Sequence, residues 1–318
     1  MEFRKFGNTD LLVTPISYGA WEIGGAPFFK NVSESDAIAT IRAAYEMGIN
    51  LFDTAPVYGF GRSETIMGKA VKGFRDRIVI STKCGLRWKN ESFDSVYKNA
   101  SGASILEEVD MSLRRLDTDF IDLYLIHWPD VDTKTPIEES IDALQSIKEA
   151  GKIRYYGVSN FSTAQMKEAN AYGTISVLQS QYNMLNTVLE NSELPYCHEA
   201  GIGFQAYSPL LRGVLTDATI DSLKLSGQLA TNWALNSLTP SRTEALKRIK
   251  EISAKYGVPL STFATGWTIS QPNISTAIVG TTRIEHLKTA TAGTGLHVSD
   301  EDQQAIHEII LGTISQKT

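Results

Sequence analysis

Residues 35–53 read SDAIATIRAAYEMGINLFD. Apolar residues recur at helical spacing over 35–47, Gly48 follows as a helix stop, and 50–53 is a short apolar run that ends in a carboxylate. Similar units of a short β-rich run and a longer helical pattern follow one another along the chain. This alternation predicts parallel strands joined by crossover helices.

Eight such units can be counted from Pro15 onward, which predicts an α/β fold of the (β/α)8 TIM barrel type. Further helices are predicted at 104–116, 137–150 and 244–255, and additional helical segments complete the C-terminal part. The residues before Pro15 predict a short β-hairpin that turns at Gly7 and Asn8 and closes the bottom of the barrel. The predicted strands lie near 16–19, 50–53, 78–82, 121–126, 154–158, 177–179, 203–206 and 276–279.

A doubly wound open sheet is the competing architecture. Its dinucleotide fingerprint requires a glycine-rich turn directly after the first strand, and residues 19–25, GAWEIGG, do not have that spacing. Two later loops, at 208–213 and 280–283, have the character of phosphate-binding loops instead. Barrels commonly place phosphate after strands seven and eight, so the late position favours the barrel.

Composition limits the function classes. The chain has 318 residues, 42% of them hydrophobic, which is compatible with one domain over residues 1–318. A net charge of −6 provides no broad basic surface for nucleic acid or anionic lipid. Two cysteines, Cys84 and Cys197, suggest neither a disulfide scaffold nor a metal site, and no apolar run is long enough to span a bilayer. We expect a cytoplasmic protein, and the sequence leaves its oligomeric state open.

Three chemically active residues end predicted strands two, three and four. Asp53, Lys83 and His127 lie at the rim where barrel enzymes assemble their active sites. Because neighbouring strands are about 4.8 Å apart, these side chains can converge within roughly 5–10 Å. Tyr58 follows Asp53 on the same loop.

This combination suits carbonyl reduction, because hydride transfer to carbon leaves negative charge on oxygen that an acid must neutralise. Tyr58 is the best candidate acid, and we expect the Lys83 ammonium to lower its pKa. Asp53 then keeps Lys83 charged and oriented, while a neutral His127 hydrogen-bonds the carbonyl oxygen. Taken singly, each of the four residues is more simply interpreted as structural.

Several motifs recur along the chain: DTAPVYG at 53–59, STK at 81–83, LIHWP at 125–129, GVSNF at 157–161, QYN at 181–183 and YSPL at 207–210. In sequence, order and spacing they resemble the motifs of the aldo-keto reductases, and the resemblance runs almost from end to end. By YGFGRSE at 58–64 and DFIDL at 119–123, the chain looks closest to bacterial members of the general-stress and inositol-utilisation group. Membership implies that Asp53, Tyr58, Lys83 and His127 form the catalytic tetrad.

The same resemblance implies a nicotinamide cofactor. It implies that Ser159, Asn160 and Gln181 bind the nicotinamide carboxamide and that the ring stacks on Tyr207. It also assigns the 2′-phosphate to Arg283, with His286 as a second candidate. We therefore expect NADP(H), with NAD(H) as the alternative, because Thr289 and Ala290 replace the Glu-Asn that relatives commonly carry at the adenine end. The remaining predicted cofactor residues are Ala20, Trp21, Asp53, Ser208, Pro209, Leu210, Leu211, Arg212, Gly213, Gly280, Thr281 and Thr282.

The expected substrate is a small carbonyl compound or sugar. Trp21, Trp88 and Trp128 follow predicted strands one, three and four and can form aromatic walls around Tyr58 and His127. Aromatic faces suit an apolar aldehyde or the C–H face of a sugar equally well. Arg62 and Arg87 are candidates for recognising an acidic or phosphorylated group, and a solvated side chain is an equally good interpretation of both.

Three other functions compete. Lys83 is a candidate Schiff-base residue of a barrel aldolase, although that chemistry does not explain the cofactor residues. Cys84 beside Lys83 is a candidate nucleophile, but no base or oxyanion arrangement accompanies it. Some members of the resembled family are channel-associated subunits, so a regulatory protein that senses nicotinamide redox state is the alternative from another class.

Overall fold

Eight strands pair in parallel and close into a barrel in the computed structural model, which describes residues 1–222 and 238–314. The strands of these residues are β1 (Arg4–Lys5), β2 (Leu12–Val13), β3 (Ile16–Gly19), β4 (Leu51–Asp53), β5 (Val79–Cys84), β6 (Leu86–Trp88), β7 (Val96–Lys98), β8 (Ile121–Ile126), β9 (Ile153–Ser159), β10 (Val177–Gln181), β11 (Gly203–Tyr207) and β12 (Ile274–Gly280). Around the barrel, β3, β4 and β5 are followed by β8 to β12, and β12 pairs back with β3. The predicted (β/α)8 barrel is confirmed.

Helices surround this barrel, and neighbouring helices α1 to α5 pack against one another. The helices of the described residues are α1 (Glu34–Glu46), α2 (Arg62–Ala70), α3 (Gly102–Leu116), α4 (Ile137–Glu149), α5 (Thr163–Tyr172), α6 (Glu193–Glu199), α7 (Asp217–Ser222), α8 (Pro240–Ala254), α9 (Leu260–Ser270), α10 (Ile284–Thr291) and α11 (Asp300–Ile314). Among these helices, none combines the length and the apolarity that a membrane crossing requires.

Local sequence explains where α1 begins and ends. The Ser33 side chain accepts a hydrogen bond from the backbone N–H of Asp36 and so caps the helix. Gly48 follows the helix with a φ of +88°, a left-handed conformation that glycine adopts at little cost. The helix therefore begins one residue before the predicted range and ends one residue before its end.

Several strands are longer than predicted at their carboxyl ends. β9 ends at Ser159, β10 at Gln181 and β11 at Tyr207, because the parallel ladder continues through these polar residues and pairs Gln181 with Tyr207. β5 extends to Cys84, so Lys83 lies inside the strand and not after it. Predicted cofactor residues are thus the terminal residues of neighbouring strands.

The N-terminal hairpin closes the bottom of the barrel, as expected. β1 and β2 pair antiparallel, and Phe6 in the turn is fully buried against the first residues of the strands, including Leu51, Val79 and Val177. Gly7 has a φ of +60°, and a Cβ on it would overlap Gly203 N and lie 2.7 Å from the carbonyl oxygen of Ser176. Only glycine allows this approach.

A second hairpin, formed by β6 and β7, follows β5 at the opposite end of the barrel. It was not predicted, because Leu86–Trp88 and Val96–Lys98 are only three residues each. Trp88, one of the predicted substrate residues, is the last residue of β6, so the hairpin fixes its position at this end of the barrel.

Gly7→Ala is expected to destabilise the protein much more than Gly257→Ala. Both glycines have a positive φ, but no atom of the described residues lies within 4 Å of a Cβ on Gly257. Left-handed strain costs about 1–2 kcal/mol in each variant, and overpacking adds roughly 1–3 kcal/mol at Gly7 alone. Urea unfolding measures both changes. Equal losses of unfolding free energy would contradict the close packing of Gly7 against Gly203 and Ser176.

Candidate active site

The carboxyl ends of β4, β5 and β8 bring Asp53, Lys83 and His127 together. Asp53 is paired with Ser81 in the neighbouring strand, and the backbone N–H of His127 donates to the Cys84 carbonyl at 2.9 Å. The Lys83 ammonium lies 2.7 Å from Asp53 Oδ1 and 3.4 Å from the Tyr58 hydroxyl. The Tyr58 ring stands at 81° to that of His127, with centroids 5.8 Å apart. The four predicted side chains therefore form one cluster.

Lys83 is completely buried, and all three of its N–H donors have acceptors. They point to Asp53 Oδ1 and to the carbonyl oxygen of Thr54, both at 2.7 Å, and to the Tyr58 hydroxyl. Burial lowers the pKa of Lys83, and the adjacent Asp53 carboxylate opposes that shift. A Schiff base requires an amine that can approach a substrate carbonyl, whereas all the N–H groups of Lys83 are directed at protein acceptors. These contacts therefore do not favour the function of a Schiff-base aldolase.

Asp53 is held from its other side by Gln179, which also bonds Gln205 inside the barrel. Gln179 Nε2 donates to Asp53 Oδ2 at 2.8 Å and to Gln205 Oε1 at 2.9 Å. Both carboxylate oxygens of Asp53 are therefore fixed. Gln179 and Gln205 were missed in the sequence, because an inward-facing polar residue of a strand has no motif that distinguishes it.

A second buried carboxylate supports β5 from the outside. Glu64 is fully buried, accepts from Thr82 Oγ1 at 2.6 Å and forms an ion pair with Arg115 at 2.6 Å. Its charge also raises the pKa of Lys83. Ser63, the preceding residue, bonds the Ala20 carbonyl and the Thr54 hydroxyl. The start of α2 therefore ties the Tyr58 loop to β3 and β5.

Tyr58 has a pKa well above 10, contrary to the expectation that Lys83 would lower it. Burial is the largest cause, and the charge of Asp53 raises the pKa further. The 3.4 Å separation from Lys83 makes that contact weak compared with the 2.7 Å contact between Lys83 and Asp53. The phenol is therefore fully protonated at neutral pH and able to donate its proton.

His127 is neutral, as expected. Burial lowers the pKa of its imidazole well below 6.5, and the nearby Lys83 charge lowers it further. A neutral imidazole keeps one N–H donor. Together with the Tyr58 hydroxyl, it presents two donors at the same rim of the barrel, where a carbonyl oxygen can be bound.

The residues predicted for the nicotinamide are linked at the ends of β9, β10 and β11. Asn160 adopts a φ of +62°, donates to the His127 carbonyl at 3.1 Å and to Ser159 Oγ at 2.9 Å, and accepts from the Tyr207 hydroxyl at 2.9 Å. Gln181 Oε1 accepts from Asn186 at 3.2 Å. The resulting group of amides and hydroxyls lies directly beside His127.

The segment 208–213 has an unusual backbone, with positive φ angles at Ser208, Leu211, Arg212 and Gly213. The side chains of Pro209 and Leu211 are buried, and Leu210 is half-buried against the core, so these residues hold the loop in place. The Arg212 guanidinium lies 4.0 Å from the Trp21 ring centroid, in cation–π contact. Arg212 thus joins this loop to the loop after β3.

The segment 280–283 leads into α10 and is fixed by its first residues. Thr281 is buried, its carbonyl accepts from Tyr18, and its hydroxyl accepts from the Arg283 backbone N–H at 3.0 Å. The hydroxyl of Thr40 donates to the Thr282 carbonyl at 3.4 Å. The side chains of Arg283 and His286 are exposed at the start of α10. Both side chains are therefore accessible to a ligand.

The predicted cofactor residue Ala20 has little to offer a ligand, and neither do Thr289 and Ala290, which replace the Glu-Asn of relatives. Ala20 is buried, its N–H donates to the Asp53 carbonyl, and its own carbonyl accepts from Ser63. Thr289 donates its hydroxyl to the Glu285 carbonyl, and Ala290 is buried. The departure from relatives at Thr289 and Ala290 therefore leaves no free polar side chain there.

Aromatic rings line the approach to Tyr58. Trp21 lies 6.1 Å from Tyr58 and 4.9 Å from Phe29, measured between ring centroids, and Trp88 lies 5.4 Å from Phe60. Trp128, beside His127, remains 39% exposed. Sequence reasoning missed a further contact, in which Phe28 of the loop after β3 meets Phe93 of the β6–β7 segment at 5.3 Å.

The two arginines considered for acidic substrates have structural partners. Arg62 donates to the carbonyl oxygens of Ile23 and Val32 and so holds the loop after β3. Arg87 forms an ion pair with Glu107 at 3.0 Å. Arg62 is therefore committed to the loop, and Arg87 is partly neutralised.

Cys84 has the environment of an unreactive thiol. It is buried, and burial together with the charge of Glu108 raises its pKa well above 9. Within residues 1–222 and 238–314, no group of His, Cys, Asp and Glu residues is arranged to hold a metal ion.

Comparison with known proteins matches residues 15–311 to the Aldo/keto reductase family. Aldo-keto reductase YhdN of Bacillus subtilis (strain 168) is 37% identical, covering 99% of this chain and 95% of that protein. The NADH-specific methylglyoxal reductase of Escherichia coli (strain K12) is 35% identical, covering 97% and 98%. A probable voltage-gated potassium channel subunit beta of Oryza sativa subsp. japonica is 33% identical, covering 91% and 90%.

Solved structures agree with this grouping. A glycerol dehydrogenase from Gluconobacter oxydans superposes with a TM-score of 0.84 at 32% identity, covering 97% of this chain and 95% of that one. The holo form of an aldo-keto reductase from Bacillus halodurans gives a TM-score of 0.81 at 28% identity, covering 97% and 96%.

The Lys83–Asp53 pair is expected to behave as a buried ion pair in a double-mutant cycle. Asp53→Asn or Lys83→Met alone removes one charge and should lower the unfolding free energy by about 3–5 kcal/mol, whereas the double variant should lose much less. Chemical denaturation measures all four proteins. The exposed pair Lys72–Asp117, with 64% and 65% side-chain exposure, is the control and should contribute about 0–1 kcal/mol. Additive losses at Lys83 and Asp53 would contradict this interpretation.

Proposed function

The chain belongs to the aldo/keto reductase family, and we propose that it reduces the carbonyl group of a small aldehyde, ketone or sugar with Tyr58 as the proton donor. The observation that supports this proposal most strongly is the environment of the Tyr58 hydroxyl. A protonated phenol lies beside a neutral imidazole, and behind it lies a buried ammonium whose orientation Asp53 fixes. Methylglyoxal reductase among the relatives supports carbonyl reduction.

In the proposed mechanism, His127 and Tyr58 hydrogen-bond the substrate oxygen and orient the carbonyl. A bound nicotinamide dinucleotide supplies the hydride in this chemistry. Tyr58 gives its proton to the oxygen as negative charge develops there, and Lys83 stabilises the phenolate that remains. Asp53 keeps the Lys83 ammonium charged and directed toward Tyr58 during the transfer.

The residues around the rim are suited to such a dinucleotide. Ser159, Asn160 and Gln181 offer amide and hydroxyl groups for a carboxamide, and Tyr207 offers an aromatic face. A Cβ on Gly280 would lie 2.6 Å from Glu22 Oε1, so the absence of a side chain there leaves room for the Glu22 carboxylate at the end of β12. The half-buried Arg212 lies between the loops after β3 and β11, where it can pair with a pyrophosphate.

We propose NADP(H) as the preferred cofactor, bound through Arg283 and His286. Within the described residues, the Arg283 guanidinium forms no hydrogen bond or ion pair, and it stands at the N-terminus of α10, where anions are favoured. Partial burial lowers the pKa of His286 below 6.5 and the charge of Arg283 lowers it further, so a neutral imidazole can contribute a hydrogen bond. One relative is named as NADH-specific, so this preference requires its own test.

A regulatory protein that binds the cofactor with little turnover is the second candidate. It is favoured by the similarity to probable potassium channel beta subunits. Turnover distinguishes the two proposals, because a sensor binds NADPH tightly yet reduces few of a broad panel of aldehydes, ketones and aldoses. Retention of all four clustered side chains supports the enzyme.

Tyr58→Phe is expected to lower carbonyl reduction by about 10²–10⁴-fold, the usual contribution of a general acid. Cofactor affinity should change little, because the phenyl ring keeps its packing against Trp21. Steady-state reduction and cofactor titration measure the two effects separately. Tyr172→Phe alters an exposed tyrosine and serves as the control. Unchanged turnover in Tyr58→Phe would remove Tyr58 from the mechanism.

Arg283→Ala is expected to weaken NADPH binding by roughly 10–100-fold, as the loss of hydrogen bonds to a charged group of about 1.5–3 kcal/mol implies. NADH affinity should stay constant, because NADH lacks the 2′-phosphate. Lys288→Ala, on the same helix, is the control, since Lys288 already pairs with Glu285. Equal weakening of both cofactors would argue against a 2′-phosphate role.

A further inference from the structure

Glu22 is a carboxylate with an unsatisfied atom inside the proposed cofactor site. It follows Trp21 and begins a short turn after β3. Within residues 1–222 and 238–314, its Oε2 atom is buried and has no hydrogen-bond partner. A buried charged oxygen without a partner is costly, and such atoms often mark functional positions. Sequence reasoning did not single out this residue.

The Glu22 carboxylate lies between the two loops that we propose hold the phosphates. A Cβ on Gly280 would lie 2.6 Å from its Oε1 and 2.7 Å from its Cδ, so the carboxylate rests on the backbone at the end of β12. On the other side, the positive charge of Arg212 in 208–213 acts on it, with the guanidinium stacked on Trp21. A negative group thus lies where a pyrophosphate needs positive charge.

Three titratable groups face Glu22 from the elements around it. Arg212 belongs to the loop after β11, Tyr18 to β3 and Tyr58 to the loop after β4. Tyr18 donates its hydroxyl to the Thr281 carbonyl, and burial raises its pKa, as it does for Tyr58, so both stay neutral near pH 7. Burial raises the pKa of Glu22 to about 7, although its own backbone N–H and Arg212 oppose the shift.

We propose that Glu22 couples dinucleotide binding to the uptake of one proton from solvent. In the free protein, Glu22 provides a negative charge opposite Arg212 above about pH 7. When a pyrophosphate pairs with Arg212, Glu22 would face like charge in a site of low polarity, and protonation relieves that repulsion. The inference rests on the proposed cofactor site and adds a residue that sets its affinity.

The sign of the pH dependence follows from linkage. Repulsion by the bound pyrophosphate gives Glu22 a higher pKa in the complex than its value of about 7 in the free protein. Above pH 7, the complex therefore holds more protons than the free protein. The Kd of the dinucleotide is therefore constant below about pH 7. It rises by up to about tenfold per pH unit above that value, until the pKa of the complex is reached.

The experiment measures the Kd of NADH between pH 6 and 9, with quenching of protein fluorescence as the signal of binding. NADH is the probe because it lacks a 2′-phosphate, which would itself titrate near pH 6. For the wild type, we expect the Kd to rise about tenfold or more between pH 7 and 8.5. Glu22→Gln should give a flat profile with tighter binding at high pH. Glu34→Gln, an exposed partner of Lys69, should behave like the wild type.

Calorimetry gives a readout that needs no variant. Titrations of the wild type with NADH at pH 7.5, in two buffers of different ionisation enthalpy, should show uptake of roughly half a proton or more per site. No proton uptake would overturn the inference even if Glu22→Gln fails to fold.

Two outcomes with Glu22→Gln would overturn the inference. One is a dependence of the NADH Kd on pH that is identical in the wild type and the variant. The other is weaker NADH binding by the variant at every pH, which would make Glu22 an acceptor for a ribose hydroxyl. Binding of NADH or NADPH without any pH dependence leaves the proposed function intact. Failure to bind either dinucleotide at all overturns the proposed function and this inference together.

Discussion

An ammonium group that is completely removed from solvent must have an acceptor for each of its protons, and this requirement organises the carboxyl end of the barrel. Lys83 meets it with Asp53, the Thr54 carbonyl and the Tyr58 hydroxyl. Because Asp53 is in turn held by Gln179, the strands β4, β5 and β10 are linked through one hydrogen-bonded chain across the barrel interior. The position of Tyr58 is a consequence of this network.

Two kinds of electrostatic environment lie on either side of Trp21, which contacts both Tyr58 and Arg212. Around Tyr58 and His127, burial favours neutral forms, so both present donors without carrying charge. Around Arg212 and Glu22, opposite charges face each other at the junction of three loops. We connect the first environment with the reacting carbonyl and the second with the affinity for the dinucleotide.

Sequence reasoning succeeded where chain order determines geometry. Asp53, Lys83 and His127 each follow or end an apolar run, and parallel strands bring such positions to one rim. It failed where the outcome depends on contacts between distant segments. Gln179 beneath Asp53, Glu64 with Arg115, and Phe28 with Phe93 have no local signal, and neither do the backbone carbonyls that accept from Arg62. The direction of the Tyr58 pKa was wrong, because burial and Asp53 outweigh the weak contact with Lys83.

The pH dependence of single-turnover rates at saturating cofactor tests most directly whether Tyr58 remains a protonated donor throughout the physiological range. We expect a carbonyl reduction rate that is flat from pH 6 to 9, because burial and Asp53 hold the pKa of Tyr58 well above 10. Alcohol oxidation requires the phenolate, so its rate should rise steadily with pH over the same range. A reduction rate that falls between pH 7 and 9, with oxidation levelling off there, would show that Tyr58 loses its proton in this range and would contradict a protonated Tyr58.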